Sequence, residues 1–188
     1  MDQKDLWDEL YRRNPRAWRG TSSIPVPCTG RALDLGCGNG KTVSALLEAG
    51  FEVVGADFSP TAIGRCREAY PEASFEECDA SDLPFLDGSF DYATAVHVLD
   101  SLDDDKLARA AAELLRVLKP GGYLFVRCFT PDDMRSGDSR NGLYYRYFRV
   151  DDVLALFKGM EAVSSATKDE PTRFGTVRSR AECLFRKI

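Results

Sequence analysis

The sequence is poor in metal ligands, because it has one histidine, His97, and six scattered cysteines with no Cys-x-x-Cys pair. Zinc sites need several such ligands at short spacing, so we expect no metal site. A chain of 188 residues does not depend on disulfides for its stability. We therefore interpret the cysteines as small buried or half-buried residues.

Long apolar runs are also missing, and none approaches the roughly 18 residues that a membrane span needs. The first residues, Met-Asp-Gln-Lys-Asp-Leu-Trp-Asp, lack the apolar core of a signal peptide. We therefore expect a cytoplasmic protein without a membrane anchor. The composition, 44 % hydrophobic and 29 % charged, is typical of one globular domain.

The net charge of -5 argues against a nucleic-acid binder, but the charge is spread unevenly. Residues 1–126 contain 13 basic and 21 acidic side chains, whereas residues 127–188 contain 12 basic and 9 acidic ones. The basic excess at the end of the chain fits either a binding surface for an anion or an ordinary solvated face.

The most informative stretch is residues 31–60. The apolar residues Ala32, Leu33 and Leu35 come before three glycines, Gly36, Gly38 and Gly40, where the backbone can turn sharply and approach a ligand closely. A helical pattern follows over residues 41–50, and a β-branched run then ends at Asp57. This order predicts two parallel strands joined by a helix.

Two carboxylates indicate which ligand this turn favours. The third glycine comes one residue too early for the dinucleotide fingerprint, and Lys41 stands in the expected position. Asp34 would repel a pyrophosphate but would attract an ammonium or sulfonium group. Asp57 is placed to accept hydrogen bonds from ribose hydroxyls. The pattern favours a nucleoside that carries positive charge.

These residues resemble the class I S-adenosylmethionine-dependent methyltransferases, whose first motif is Asp-x-Gly-x-Gly-x-Gly. Further matches follow in the expected order: Gly-Ala-Asp-Phe-Ser-Pro at residues 55–60, Asp-Ala at 79–80, and the stretches 89–99 and 114–124. The resemblance is strong over residues 31–129 and fades on both sides.

The resemblance implies a doubly wound, Rossmann-like α/β fold with seven mostly parallel strands, an antiparallel last strand and helices on both faces. It divides the chain into an N-terminal helix and lid segment, residues 1–30, and a cofactor-binding domain, residues 31–188. The cofactor-binding residues that it implies are Asp34, Gly36, Cys37, Gly38, Asn39, Gly40, Asp57, Phe58, Asp79, Ala80 and Val96. Trp7, Tyr11 and Trp18 would cover the cofactor, or would only pack the helix on the sheet.

Two of these assignments have alternatives. By resemblance Asp79 would bind the adenine amino group, but its side chain could equally cap the turn that begins at Ser81. His97 ends the fourth predicted strand, where a neutral imidazole could act as a general base. A residue in this position could also simply line the cofactor wall. The acidic run at residues 103–105 suits the first turn of a helix without any metal.

Apolar periodicity and turn residues predict the remaining elements. We expect helices over residues 5–13, 60–70, 103–119 and 151–158, and strands over 74–78, 90–96, 123–129, 160–167 and 181–186. The Pro-Gly-Gly at residues 120–122 should end the fourth helix.

The predicted activity is methyl transfer from S-adenosylmethionine, which leaves S-adenosylhomocysteine. The fourth strand does not continue into an Asn-Pro-Pro-Tyr-like tetrapeptide, which disfavours adenine and amide acceptors and favours a small molecule. Residues expected near the acceptor are Trp18, Tyr144, Arg146 and Arg173, and an anionic acceptor would suit the arginines Arg135, Arg140, Arg146, Arg149, Arg173 and Arg178. The alternatives are methylation of RNA or protein, a non-catalytic S-adenosylmethionine-binding module, and a nicotinamide oxidoreductase.

Overall fold

A computed structural model describes residues 2–15, 22–137 and 142–188. Its strands are β1 (Arg31–Leu35), β2 (Glu52–Asp57), β3 (Ser74–Glu77), β4 (Phe90–Val96), β5 (Leu118–Phe129), β6 (Glu161–Pro171) and β7 (Val177–Arg186). Its helices are α1 (Gln3–Arg13), α2 (Lys41–Glu48), α3 (Pro60–Ala69), α4 (Asp104–Val117) and α5 (Val150–Leu156), and a 3₁₀ turn spans Leu99–Ser101.

The described strands form one sheet of seven in the order β3-β2-β1-β4-β5-β7-β6. The pairs from β3 to β5 are parallel, and β7 runs antiparallel to both of its neighbours. This confirms the predicted Rossmann-like sheet with an antiparallel last strand. The strand order reverses beside β1, where β2 lies on one side and β4 on the other, and ligands bind at such a point in open α/β sheets.

A layer of helices covers each face of the sheet. On one face, Val43 and Leu46 of α2 pack with Ile63 and Cys66 of α3. On the other face, α4 and α5 pack against the central strands through residues such as Leu107, Leu114 and Val153. These apolar positions recur at helical spacing, which is why the sequence predicts the helices well.

Helix starts follow the capping residues. The Ser59 hydroxyl accepts a hydrogen bond from Ala62 N at 3.1 Å, and Pro60 occupies the first turn of α3. Asp103 caps α4 in the same way through Lys106 N at 2.9 Å. The first acid of the run at residues 103–105 therefore belongs to the helix cap.

The end of α4 differs from the prediction. The helix ends at Val117, and β5 begins at Leu118 and includes the Pro-Gly-Gly that the sequence predicts as a break between helix and strand. The pairing with β4 jumps from Phe90–Leu118 to Tyr92–Tyr123, so the three residues lie in a bulge. Proline has no N–H to donate to a ladder, and a bulge is one of the few places in a sheet that accepts it.

The last hairpin is longer than predicted. β6 extends to Pro171 rather than residue 167, and β7 begins at Val177 rather than residue 181. The added pairs are polar, and Arg180 forms an ion pair with Glu170 at 2.5 Å. Because nearly all of β6 is exposed, its sequence lacks the alternation that marks a half-buried strand.

None of the helices in the described ranges has the length and apolar character that a membrane crossing requires.

Candidate functional site

A cavity of about 440 Å³ opens at the carboxyl ends of β1, β4 and β5. Helix α1 and the start of β7 close its sides. The described residues that line it are Trp7, Tyr11, Ser22, Gly36, Cys37, Gly38, Asn39, Lys41, Thr42, Val96, His97, Arg127, Phe129, Arg135, Tyr145, Arg178 and Arg180.

The floor of the cavity is the turn after β1. Gly36, Gly38 and Gly40 have φ angles of +69°, +50° and +82°, a region that side chains rarely adopt. A Cβ on Gly38 would lie 2.7 Å from the Tyr11 hydroxyl oxygen. Glycine is therefore required at Gly38 both by the backbone angle and by the close approach of α1.

The Asp57 carboxylate stabilises this turn through hydrogen bonds to backbone amides. Its Oδ2 accepts a hydrogen bond from Gly38 N and its Oδ1 accepts one from Ser59 N, both at 2.9 Å. Burial raises the pKa of Asp57 to about 6 even though these bonds favour the charged form. The carboxylate thus joins the glycine turn to the start of α3.

Asp34 lies deeper in the sheet and is 1 % exposed. Its Oδ1 accepts a hydrogen bond from the Thr94 hydroxyl at 2.8 Å, while its buried Oδ2 has no hydrogen-bond partner within the described ranges. Burial raises the pKa of Asp34 to about 7, and the charge of Asp57 adds to the effect. A buried carboxylate oxygen without a partner is costly and marks a site for a cationic or hydrogen-bonding ligand group.

Helix α1 lies across the ends of β2 and β3. Asp8 Oδ1 accepts hydrogen bonds from the Ser59 hydroxyl at 2.6 Å and from Thr61 N at 3.0 Å. Lys4 forms an ion pair with Glu77 at 3.1 Å. The same helix places the rings of Trp7 and Tyr11 in the cavity wall.

His97 forms the wall opposite the glycine turn. It has φ +56°, which is uncommon for a residue with a side chain, and its ring stacks on Phe129 with centroids 3.9 Å apart. Its Nδ1 lies 3.1 Å from Oδ2 of Asp100, which is fully buried. With the proton on Nδ1, this pairing leaves Nε2 as the basic nitrogen.

Asp100 is itself held in place. Its Oδ1 accepts a hydrogen bond from Phe129 N at 2.9 Å, and its carbonyl oxygen accepts one from Arg146 N at 2.6 Å. Burial raises the pKa of Asp100, whereas the hydrogen bond with His97 opposes that shift. The sequence analysis missed this residue, although the spacing of three from His97 could have suggested the pair.

The structure brings six of the predicted cofactor-binding and catalytic residues into the cavity wall: Gly36, Cys37, Gly38, Asn39, Val96 and His97. Trp7 and Tyr11, which were expected to cover the cofactor, also line it. Asp34, Gly40, Asp57, Phe58, Asp79 and Ala80 are not among the described lining residues. Asp79 accepts hydrogen bonds from Ser81 N at 2.9 Å and Ser81 Oγ at 2.7 Å, so the turn-capping alternative is present in the structure.

The acceptor residues suggested by the sequence lie elsewhere. Tyr144, Arg146 and Arg173 are not among the described lining residues. The Arg146 side chain forms an ion pair with Asp104, and the Arg173 guanidinium lies over the Phe174 ring at 4.7 Å. Trp18 and Arg140 lie outside the described residues. Arg173 lies in the turn between β6 and β7, and local sequence does not reveal which arginines of this hairpin reach the cavity.

Five cations of the described part of the chain line the cavity, and two of them, Arg135 and Arg178, are among the arginines that the sequence suggested for an anionic acceptor. Arg127, Arg178 and Arg180 come from β5 and β7, Lys41 from the first turn of α2, and Arg135 from the segment after β5. Arg178 and Arg180 alternate in sequence, so they lie on one face of β7. The spacing of two from Arg178 could have placed Arg180 on the same face of the strand. Arg180 was not predicted because the predicted strand began at residue 181, whereas β7 begins at Val177.

Comparison with known proteins agrees with this arrangement. A family model described as a methyltransferase domain matches residues 33–126, which is half of the chain. The chain belongs to this methyltransferase family. The matched segment contains the glycine turn, Asp57, Asp79 and the His97–Asp100 pair.

Individual relatives extend the match. Demethylmenaquinone methyltransferase of Beutenbergia cavernae is 30% identical over 161 residues, which are 84% of this chain and 66% of the relative. The 2-methyl-6-phytyl-1,4-hydroquinone methyltransferase of Synechocystis is 39% identical over 122 residues, which are 63% of this chain and 37% of the relative. The chain spans about half the length of the curated relatives that it matches.

A solved S-adenosylmethionine-dependent methyltransferase from Methanosarcina mazei has a similar fold. Its TM-score is 0.74 at 25% identity, and the alignment covers 84% of this chain and 92% of that structure.

Proposed function

We propose that this chain transfers a methyl group from S-adenosylmethionine to an oxygen or nitrogen of a small-molecule acceptor. One observation carries the proposal: the left-handed glycine turn and His97, whose Nδ1 pairs with the buried Asp100, line the same cavity. The names of two relatives, which refer to demethylmenaquinone and a hydroquinone, support a small-molecule acceptor.

The residues present fit the cofactor. Glycine at Gly36 and Gly38 keeps the floor of the cavity free of side chains. The buried Oδ2 of Asp34, which lacks a partner in the described part of the chain, suits a hydrogen-bond donor or a cation. We assign cofactor binding to Asp34, the turn residues 36–40, Asp57, Phe58 and Val96. Asp79 and Ala80 are assigned to the adenine. When the adenine binds, the Asp79 carboxylate either keeps its hydrogen bonds to Ser81 or exchanges them for bonds to the adenine.

When bound, S-adenosylmethionine supplies a methyl group on a positively charged sulfur that is already a good leaving group. The chain then has to align the acceptor, exclude water and receive a proton. Trp7 and Tyr11 on α1 cover the glycine turn and shield it from solvent. We therefore assign α1 the role of a lid over the cofactor.

His97 is proposed to receive the acceptor's proton at Nε2. Asp100 fixes the tautomer by accepting the Nδ1 hydrogen, and it stabilises the imidazolium that forms. Positioned bases of this kind contribute on the order of 100-fold or more to a rate. His97 is thus the proposed catalytic residue, and Asp100 is a positioning residue.

Isothermal titration with S-adenosylmethionine and S-adenosylhomocysteine tests the cofactor assignment. We expect micromolar binding of both, lost in Asp57→Ala because that change removes the acceptor for Gly38 N. Asp82→Ala is the matched control, since Asp82 is exposed and lies outside the cavity wall. Absence of binding would refute the proposal.

Methyl transfer is tested with radiolabelled S-adenosylmethionine and a panel of quinols, phenols and amines. Label on a small acceptor, lost in His97→Asn, supports the proposal. Binding without transfer to any small acceptor, with transfer to RNA or protein from a lysate, would instead favour a macromolecular acceptor. Binding with no transfer at all would favour a non-catalytic module.

A further inference from the structure

We infer that the acceptor is a planar acid whose anionic group binds Arg178 and Arg180, an inference that rests on the proposed methyl transfer. Among the arginines that the sequence suggested for an anion, Arg178 lines the cavity, whereas Arg146 and Arg173 do not. The structure adds Arg180, which was not predicted.

The cavity wall carries charge of one sign. Five of its described residues are cationic, namely Lys41, Arg127, Arg135, Arg178 and Arg180, and none of the described lining residues is an aspartate or glutamate. Three of the five form ion pairs with residues that are not among the described lining residues: Arg127 with Glu182 at 2.7 Å, Arg135 with Asp133 at 3.2 Å and Arg180 with Glu170 at 2.5 Å.

Lys41, Arg178 and one nitrogen of Arg180 can still bind a ligand. Within the described ranges, neither Lys41 nor Arg178 forms an ion pair, and the buried Nε of Arg180 has no hydrogen-bond partner. Arg127 cannot take part, because its guanidinium also donates to the Ser22 hydroxyl at 3.0 Å and the Ser23 carbonyl at 2.5 Å. Cationic hydrogen-bond donors that could bind an anion therefore remain at two places in the cavity wall, at Lys41 and at the start of β7.

These two places are far apart. Lys41 directly follows the glycine turn at the end of β1, whereas Arg178 and Arg180 lie on β7, three strands away. At about 4.8 Å per strand the separation is about 14 Å. Lys41 is the cation next to the glycine turn, so we assign the carboxylate of the cofactor to it, and the arginines on β7 remain for the acceptor.

The distance between His97 and the arginines on β7 limits the length of that acceptor. β4, which ends beside His97, is two strands from β7, or about 10 Å. The acceptor must place its anionic group at the arginines and its nucleophile at His97 Nε2. The arginine side chains extend into the gap of about 10 Å, so the acceptor has to span only the rest of that distance. A single ring between the carboxylate and a hydroxyl group has a suitable length.

The walls between these points favour a flat ring. The Phe129 ring stacks on the His97 ring with centroids 3.9 Å apart, and the Arg135 guanidinium lies 4.7 Å from the Phe129 centroid. Tyr145 meets Trp7 edge to face at 5.9 Å and Phe129 at 6.4 Å. Aromatic rings pack against such surfaces in stacked or edge-to-face geometry.

The test is isothermal titration of S-adenosylhomocysteine-saturated protein with para-hydroxybenzoate, para-hydroxycinnamate and their primary amides. We expect at least one acid to bind, and its amide to bind about tenfold more weakly because a guanidinium bonds a carboxylate with two charged hydrogen bonds. Arg178→Gln should weaken the acid about tenfold and leave the amide unchanged. S-adenosylhomocysteine affinity should not change in this variant.

Arg186→Gln is the matched control, because Arg186 is exposed at the far end of the same strand and should leave all affinities unchanged. The inference is overturned if acids and amides bind alike, if no acid binds to the loaded protein, or if Arg178→Gln binds acids like the wild type. Failure of the protein to bind S-adenosylhomocysteine would instead overturn the proposed function beneath it.

Discussion

Asp8 on α1 and Ser59 at the start of α3 are joined by a hydrogen bond of 2.6 Å, 51 positions apart in the sequence. Asp8 is 6 % exposed and also accepts from Thr61 N. One carboxylate therefore attaches α1 to the end of the sheet that carries the glycine turn. The placement of Trp7 and Tyr11 over the cavity depends on this attachment.

Replacing Asp8 with Ala should loosen α1, because alanine cannot accept the hydrogen bonds from Ser59 and Thr61. Partial burial raises the pKa of Asp8, but the bonds from Ser59, Thr61 and Arg12 outweigh it and lower that pKa from 3.8 to about 2. The stabilisation is present above pH 4 and is lost as the pH falls toward 2. Urea unfolding at pH 7 should show Asp8→Ala about 1 to 2 kcal/mol less stable, a range typical of a lost helix cap.

Glu9→Gln serves as the control, since Glu9 pairs with Arg12 and Arg13 on the surface of the same helix. Such pairs contribute little, and we expect a change below about 0.5 kcal/mol. Equal effects of the two substitutions would show that Asp8 does not fasten α1.

Gly38→Ala should weaken cofactor binding by about tenfold or more. The new Cβ would lie 2.7 Å from the Tyr11 hydroxyl, so the ring must move away, and φ +50° adds about 1 kcal/mol of strain. Gly50 has φ +85°, and no atom of the described residues lies within 4 Å of the point that a Cβ would occupy, so Gly50→Ala has the strain without the clash. Titration with S-adenosylhomocysteine should find Gly50→Ala unchanged.

Combining Gly38→Ala with Tyr11→Phe removes the clashing oxygen. Part of the lost affinity should return if the contact with Tyr11 is the cause. A double variant as weak as Gly38→Ala alone would place the whole effect in the backbone of the turn.

The sequence predicted the parts of the molecule in which a local pattern has one physical solution. Gly36, Gly38 and Gly40 form the expected left-handed turn, because few other residues can adopt those angles. Asp57 lies at the end of β2 as predicted, but its two oxygens bind backbone amides of the turn and of α3. That use depends on the turn and α3 meeting in space, which spacing alone does not show.

The residues expected to bind the methyl acceptor could not be predicted from local sequence in the same way. Whether an arginine faces the cavity depends on strand register, and β6 and β7 are too polar for their register to be visible in the sequence. Arg173 and Arg178 are therefore equivalent in the sequence pattern, although only Arg178 of the two lines the cavity. The spacing of three between His97 and Asp100 brings the two side chains together only if the chain turns between them, and the sequence did not predict the short 3₁₀ turn that contains Asp100.

Asp34→Asn should stabilise the protein at neutral and alkaline pH. Burial raises the pKa of Asp34 from 3.8 to about 7, so the unfolded chain releases this proton at a lower pH than the folded one. The wild type therefore loses stability as the pH rises from 4 to 7, and the amide avoids that loss. In urea unfolding, the stability of the variant relative to the wild type should increase over this range, while its affinity for S-adenosylmethionine falls.

The exposed Asp82 provides a comparison, and Asp82→Asn should follow the wild type at every pH. If the stability difference between Asp34→Asn and the wild type does not depend on pH, Asp34 is not the buried carboxylate that titrates near neutrality.

Asp100→Asn should reverse the tautomer of His97. The amide oxygen can still accept from Phe129 N, but the amide nitrogen then donates to His97 Nδ1, which moves the imidazole proton to Nε2. The basic nitrogen would be lost from the cavity side. Because the chain has a single histidine, nitrogen-15 NMR of labelled protein reads this tautomer without knowledge of the acceptor.

The spectra should show a proton on Nδ1 in the wild type and on Nε2 in Asp100→Asn at a pH where the imidazole is neutral. Asp103→Asn is the control, because Asp103 lies three residues further on and its side chain caps α4 through Lys106 N. We expect its spectrum to match the wild type. The same tautomer in wild type and Asp100→Asn would mean that Asp100 does not position His97, and the proposed proton transfer to Nε2 would lose its structural basis.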